Sequence, residues 1–136
     1  MSITRSEARE QAFILLFSIT FNDYGIDEII SLANLTRDYT PADFTLALSS
    51  GAYEKLEDID ALIEKYSENW NKNRISKISI TILRLAIYEI LHVKDIPISV
   101  SINEAVELAK KYATVDDSSF INGILGNLVR TMELSD

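Results

Sequence analysis

Arg5 and Arg9 stand one helical turn apart at the start of the chain, and Phe120 follows an Asp116-Asp117-Ser118 run near its end. Guanidinium groups at i and i+4 share one face of a helix. They pair with phosphates, while an accessible aromatic ring stacks on an unpaired base. Together these residue types fit single-stranded RNA. Each also has a plainer reading, as surface arginines and a core phenylalanine. The first amides of the last helix favour an anion, with Asp116 and Asp117 competing for that place.

Other chemistry lacks its parts. The chain has no cysteine and one histidine, His92. That excludes a disulfide framework, a thiol nucleophile, a cysteine-ligated zinc and any mechanism needing two histidines. His92 ends an apolar stretch beside Val93 and reads as a helix-end cation or half-buried filler, not as the base of a Ser-His-Asp triad. Four scattered glycines form no phosphate-cradling loop, and neither HExxH nor EF-hand spacing occurs. Catalytic residues, a cofactor and a metal are therefore not expected. Glu57-Asp58-Asp60 reads as a solvated face. Arg84 and Glu89 lie in the most apolar stretch and read as buried partners of neighbouring helices, with Glu104 one possible partner for Arg84.

The formal net charge of -8 argues against a generic nucleic-acid coat. The charge is uneven, however. Residues 42–70 carry 2 basic and 7 acidic side chains, whereas residues 71–136 carry 8 of each. The acidity thus precedes Trp70, which suggests faces with different partners. No apolar run approaches the roughly 20 residues that cross a bilayer. The N-terminus lacks a signal-peptide core, so a cytoplasmic protein is expected.

Periodicity supplies the elements that must position these residues. Residues 4–21 read as a helix with two stripes, one from Ala8 to Ile19 and one through Phe13, Phe17 and Phe21. A short helix is expected over about 27–35. Thr40-Pro41 predicts the start of a long helix running to about Asn71, bent or divided at Ser49-Ser50-Gly51. Ile78, Ile80 and Ile82 alternate like a strand. The stretch from 78 to 93 is nevertheless too long without a turn for a usual strand and reads as the central buried helix. After the Asp95-Ile96-Pro97 turn a helix is expected near Ser99, with Ser101 and Glu104 matching a capping box. Asp116-Asp117-Ser118 caps a last helix over about 117–133, in which Gly123 and Gly126 would permit close helix approach. The fold class is all-α, with six or seven helices in one bundle of 136 residues.

Several blocks then resemble the NusB family in order and spacing. They are Ile82-Leu83-Arg84-Leu85-Ala86-Ile87-Tyr88-Glu89-Ile90, Asp95-Ile96-Pro97, Ile102-Asn103-Glu104-Ala105-Val106-Glu107-Leu108-Ala109-Lys110 and Phe120-Ile121-Asn122-Gly123-Ile124-Leu125. The N-terminal Arg5-x-x-x-Arg9-Glu10-x-Ala12 and the Asp60/Ile63/Trp70 region also fit, more loosely. The resemblance implies two packed three-helix units, with halves at about 1–71 and 76–133, and no enzymatic activity. It implies a transcription antitermination factor that binds boxA RNA of nascent transcripts with NusE, a ribosomal small-subunit protein, and joins the RNA polymerase complex on rRNA operons. Neither a membrane nor DNA is an expected partner. Carried over, the RNA-binding residues are Arg5, Arg9, Asp116 and Phe120. Ser6, Glu7 and Ser119 stand where basic residues are common in the family, so the basic patch is thin. That thinness keeps open a purely protein-binding helical scaffold. An accessory module of an RNA-modifying enzyme is a third reading, and with no methyltransferase domain after Asp136 a free-standing factor is the expectation. Truncating Arg9 or Phe120 to alanine is expected to weaken RNA binding and leave stability nearly unchanged.

Overall fold

The structure is a computed structural model that describes residues 3–21, 42–67 and 75–136. The expected short helix at 27–35, the Thr40-Pro41 start and Trp70 lie outside the described residues. Among the described residues there are six helices and no strand: α1 (Arg5–Phe21), α2 (Asp43–Glu54), α3 (Leu56–Tyr66), α4 (Lys77–His92), α5 (Ile98–Tyr112) and α6 (Val115–Thr131). None is long and apolar enough to cross a membrane.

α4 touches each of the other five helices and is the hub of the fold. Ile82, Leu83 and Ile87 are fully buried in it. So are Ser79 and Thr81, the polar half of its strand-like alternation. Small side chains permit close packing there, and the Thr81 hydroxyl donates to the Lys77 carbonyl at 2.7 Å. Ser76 caps the helix by accepting from the Ser79 amide. α1 packs chiefly on α2 and α4, and α6 chiefly on α5. The core joins Leu16, Leu48, Ile59, Ile63, Leu83, Ile87, Leu125 and Leu128.

Three boundaries differ from the sequence reading. The α2–α3 break falls at Lys55, whose φ of -104° and ψ of 16° interrupt the helix. Ser49 and Gly51 lie inside α2, where the Ser49 hydroxyl donates to the Thr45 carbonyl at 2.7 Å. α5 begins at Ile98 without a side-chain cap, because Ser101 and Glu104 serve tertiary contacts instead. Thr114, not Asp116-Asp117, caps α6: it accepts from the Asp117 amide while Asp117 accepts from the Thr114 amide. The same reciprocal arrangement, unnoticed in the sequence, opens α1 between Thr4 and Glu7.

Neither expected glycine contact exists. A Cβ on Gly123 would meet nothing within 4 Å, and one on Gly126 would meet only Arg130 of its own helix. Among the described residues, the glycine needed for close approach is Gly51. A Cβ there would lie 2.1 Å from the Tyr88 ring, so α2 and that tyrosine of α4 meet across bare backbone.

Candidate nucleic-acid interface

The two N-terminal arginines come together but differ in role. Arg5 is exposed, with its guanidinium 3.9 Å from the centre of the Phe44 ring on α2. Arg9 lies 5.3 Å from the same ring but points inward. Its Nε donates to Glu89 Oε1 at 2.7 Å, with side-chain exposures of 7% and 3%, and its Nη1 is 3.8 Å from Glu104 Oε1. The Ser101 hydroxyl donates to the other Glu89 oxygen, and the Ser6 hydroxyl donates to Glu104 at 2.7 Å. A carboxylate on the most buried helix requires a nearby cation, and Arg9 supplies it. Removing Arg9 therefore cannot leave stability untouched.

Arg84 does not meet Glu104. Its Nε and Nη2 donate to the two oxygens of Asp60 on α3, each at 2.8 Å. This bidentate pair gives Asp60, whose side chain stays 40% exposed, a structural role on the acidic face and ties α3 to α4. Glu57 and Asp58 are exposed, and no group of acidic or histidine side chains among the described residues could hold a metal ion. His92 is exposed at the end of α4, its ring centre 5.0 Å from that of Tyr88.

At the other end of the chain Asp116 and Ser119 are exposed, whereas Phe120 is half-buried against the core. α1 and α6 share no extensive packing; the end of α5 bridges them. Glu10 of α1 accepts from Lys111 Nζ at 2.5 Å and from the Tyr112 hydroxyl at 2.9 Å, and the Tyr112 ring packs on Phe13. α6 starts three residues beyond Tyr112. The capping box already uses the Asp117 amide, which weakens any anion site at that helix end.

The Glu10 bridge has a pH signature. The hydrogen bond from Lys111 holds the Glu10 carboxyl below its ordinary value of 4.5, helped by Tyr112 and opposed by partial burial. Lys111 is raised in turn, chiefly by that hydrogen bond, and burial followed by the Glu10 contact raises Tyr112. A depressed carboxyl contributes stability above its unfolded value, and this is lost as pH falls through the folded one. Urea midpoints between about pH 6 and pH 3 should therefore fall less steeply in Glu10→Gln than in the parent. Identical slopes would deny the bridge any part in acid unfolding.

Sequence reasoning missed Phe44, which lies across from α1 on another helix. It offered Glu104 as a partner for Arg84, which instead meets Asp60, and it named no partner for the buried Glu89, although a buried carboxylate with an arginine-bearing helix elsewhere in the chain was a usable signal. Comparison with known proteins extends the picture from these residues to the whole chain. The model of the NusB family matches residues 6–130. The transcription antitermination protein NusB of Clostridium acetobutylicum is 45% identical over 133 residues, covering 96% of this chain and 98% of its own. That of Natranaerobius thermophilus is 44% identical over 135 residues, covering 96% and 97%. The structure of T. maritima NusB superposes with a TM-score of 0.83 at 37% identity, covering 98% of this chain and all of that one. A chain from the crystal structure of antitermination factors NusB and NusE in complex with dsRNA superposes with a TM-score of 0.80 at 25% identity, covering 93% and 96%. With its family model spanning nearly the whole chain and close relatives matched end to end, the protein belongs to the NusB family.

Proposed function

We propose that this protein is a transcription antitermination factor that binds boxA-type RNA of nascent transcripts together with NusE and joins the RNA polymerase complex. It acts as a cytoplasmic adapter without catalysis. The observation that carries the reading is the full-length match to NusB proteins, one of them in a complex with NusE and RNA. The exposed Arg5 on Phe44 supports it, because a cation beside an aromatic ring suits phosphate and base. Asp116 and Phe120 form a second contact region at the start of α6. Arg9 contributes by fixing α1 against α4, since its own charge is spent on Glu89. Two weak surfaces, one on each protein, reach higher effective affinity once NusE joins them.

Titrating labelled boxA RNA and an unrelated RNA, with and without NusE, tests this. Selective binding that tightens with NusE is the expected result. Phe120→Leu, which keeps apolar volume but removes the ring, should weaken boxA binding by roughly fivefold or more, as base–aromatic stacking implies, while the thermal midpoint changes little. The burial of Arg9 thins the basic patch further and favours a second reading, a helical scaffold that binds protein alone. In that case the complex with NusE forms and neither RNA binds.

A further inference from the structure

The first turn of α1, Phe44 of α2 and the α4–α5 turn enclose a groove of about 580 Å³. This lies within the roughly 300–1,000 Å³ range of small-ligand sites. Three cations line it: Arg9, whose charge is taken by Glu89, and Arg5 and Lys94, both exposed and neither with a carboxylate partner among the described residues. They stand out in a chain of net charge -8. Of the two acids in the groove, Glu104 already receives the Ser6 hydroxyl, and Asp95 sits on the turn itself. Asp95 takes a φ of 69°, a left-handed conformation that bends the chain sharply between Lys94 and Pro97 and fixes the turn opposite Phe44. Pro97 and Val100, the latter 39% exposed, add an apolar rim. Phe44 covers one side of the Arg5 guanidinium, and the exposed side remains open to the groove. Bases stack on such guanidinium planes as they do on aromatic rings.

We propose that this groove takes one nucleotide of the bound single-stranded RNA, with its phosphate on Lys94 and its base against the Arg5–Phe44 stack, and that Phe44 is the positioning residue for Arg5. The proposal rests on the RNA-binding reading above and adds Lys94 and Phe44 to it. A guanidinium held by a ring loses less freedom on binding than a free one, so Phe44 raises affinity without touching phosphate.

The test measures labelled boxA RNA and a scrambled control by anisotropy at saturating NusE, between about 0.05 and 0.2 M salt. Lys94→Gln should weaken both RNAs by roughly three- to tenfold, lower the salt slope by about 0.7, and leave the thermal midpoint unchanged. Phe44→Leu should weaken binding, and Phe44→Tyr, which restores a ring, should recover it. If the parent protein binds and both Lys94→Gln and Phe44→Leu bind equally well, the groove assignment fails while the RNA reading stands. If the parent binds no RNA, both fail. If Lys94→Gln weakens capture of NusE in the absence of RNA, the groove docks protein and the assignment is overturned.

Discussion

Arg9→Ala is expected to lower the free energy of unfolding by about 3–5 kcal/mol, a cost typical of removing one partner from a buried ion pair. Glu89 is 3% exposed and would keep only the Ser101 hydroxyl as a close partner. Glu104, already 3.8 Å from Arg9, is another carboxylate and would repel it. Replacing both members of the pair separates the price of an orphaned charge from the value of the pair itself. Arg9→Met with Glu89→Leu should recover most of the loss, because no charge is then left buried. Urea unfolding followed by circular dichroism reads both, and an unchanged m-value would show that the unfolded state is the same. A loss below about 1 kcal/mol in Arg9→Ala, the range of exposed pairs, would mean that water reaches Glu89. RNA titration of Arg9→Ala must accordingly be interpreted only where the variant is folded.

That result bears on how much of this molecule is legible in its sequence. The class, the central helix and the C-terminal pair of helices follow from periodicity, because a buried stripe has to repeat at the helical period whatever it packs against. Contacts between distant residues do not follow. Arg84 could meet Glu104 or Asp60, and only the crossing of α3 over α4 decides for Asp60. Arg9 looked like a surface arginine because its helix turn is polar: Ser6, Glu7 and Glu10 surround it. These neighbours lie around the rim of the α1–α5 gap, with Ser6 on Glu104 and Glu10 on Lys111, while Arg9 alone passes under them. The Ser101–Glu104 spacing misled in the same way. Its capping pattern is present, but both side chains are committed to other helices. Local patterns state what a residue is able to do, and tertiary packing selects among those options.

The glycines make the same point quantitatively, and they permit a paired experiment. Gly51→Ala is expected to destabilise by about 1–3 kcal/mol, the usual cost of overpacking, even though alanine favours helix over glycine by about 1 kcal/mol. Its Cβ would fall 2.1 Å from Tyr88 Cζ and 2.2 Å from Oη. The tyrosine cannot simply swing aside without giving up its contact with the His92 ring 5.0 Å away. Gly123→Ala faces open space in the same kind of helix interior and should instead gain about 0.5–1 kcal/mol. The two substitutions are chemically identical, so the difference between their unfolding free energies isolates the Tyr88 contact. Adding Tyr88→Leu to Gly51→Ala should remove much of the penalty, since it takes away the atoms the new methyl would strike. If Gly51→Ala stabilises the protein as much as Gly123→Ala does, α2 and α4 are not held together at this point, and the ring rests elsewhere in solution.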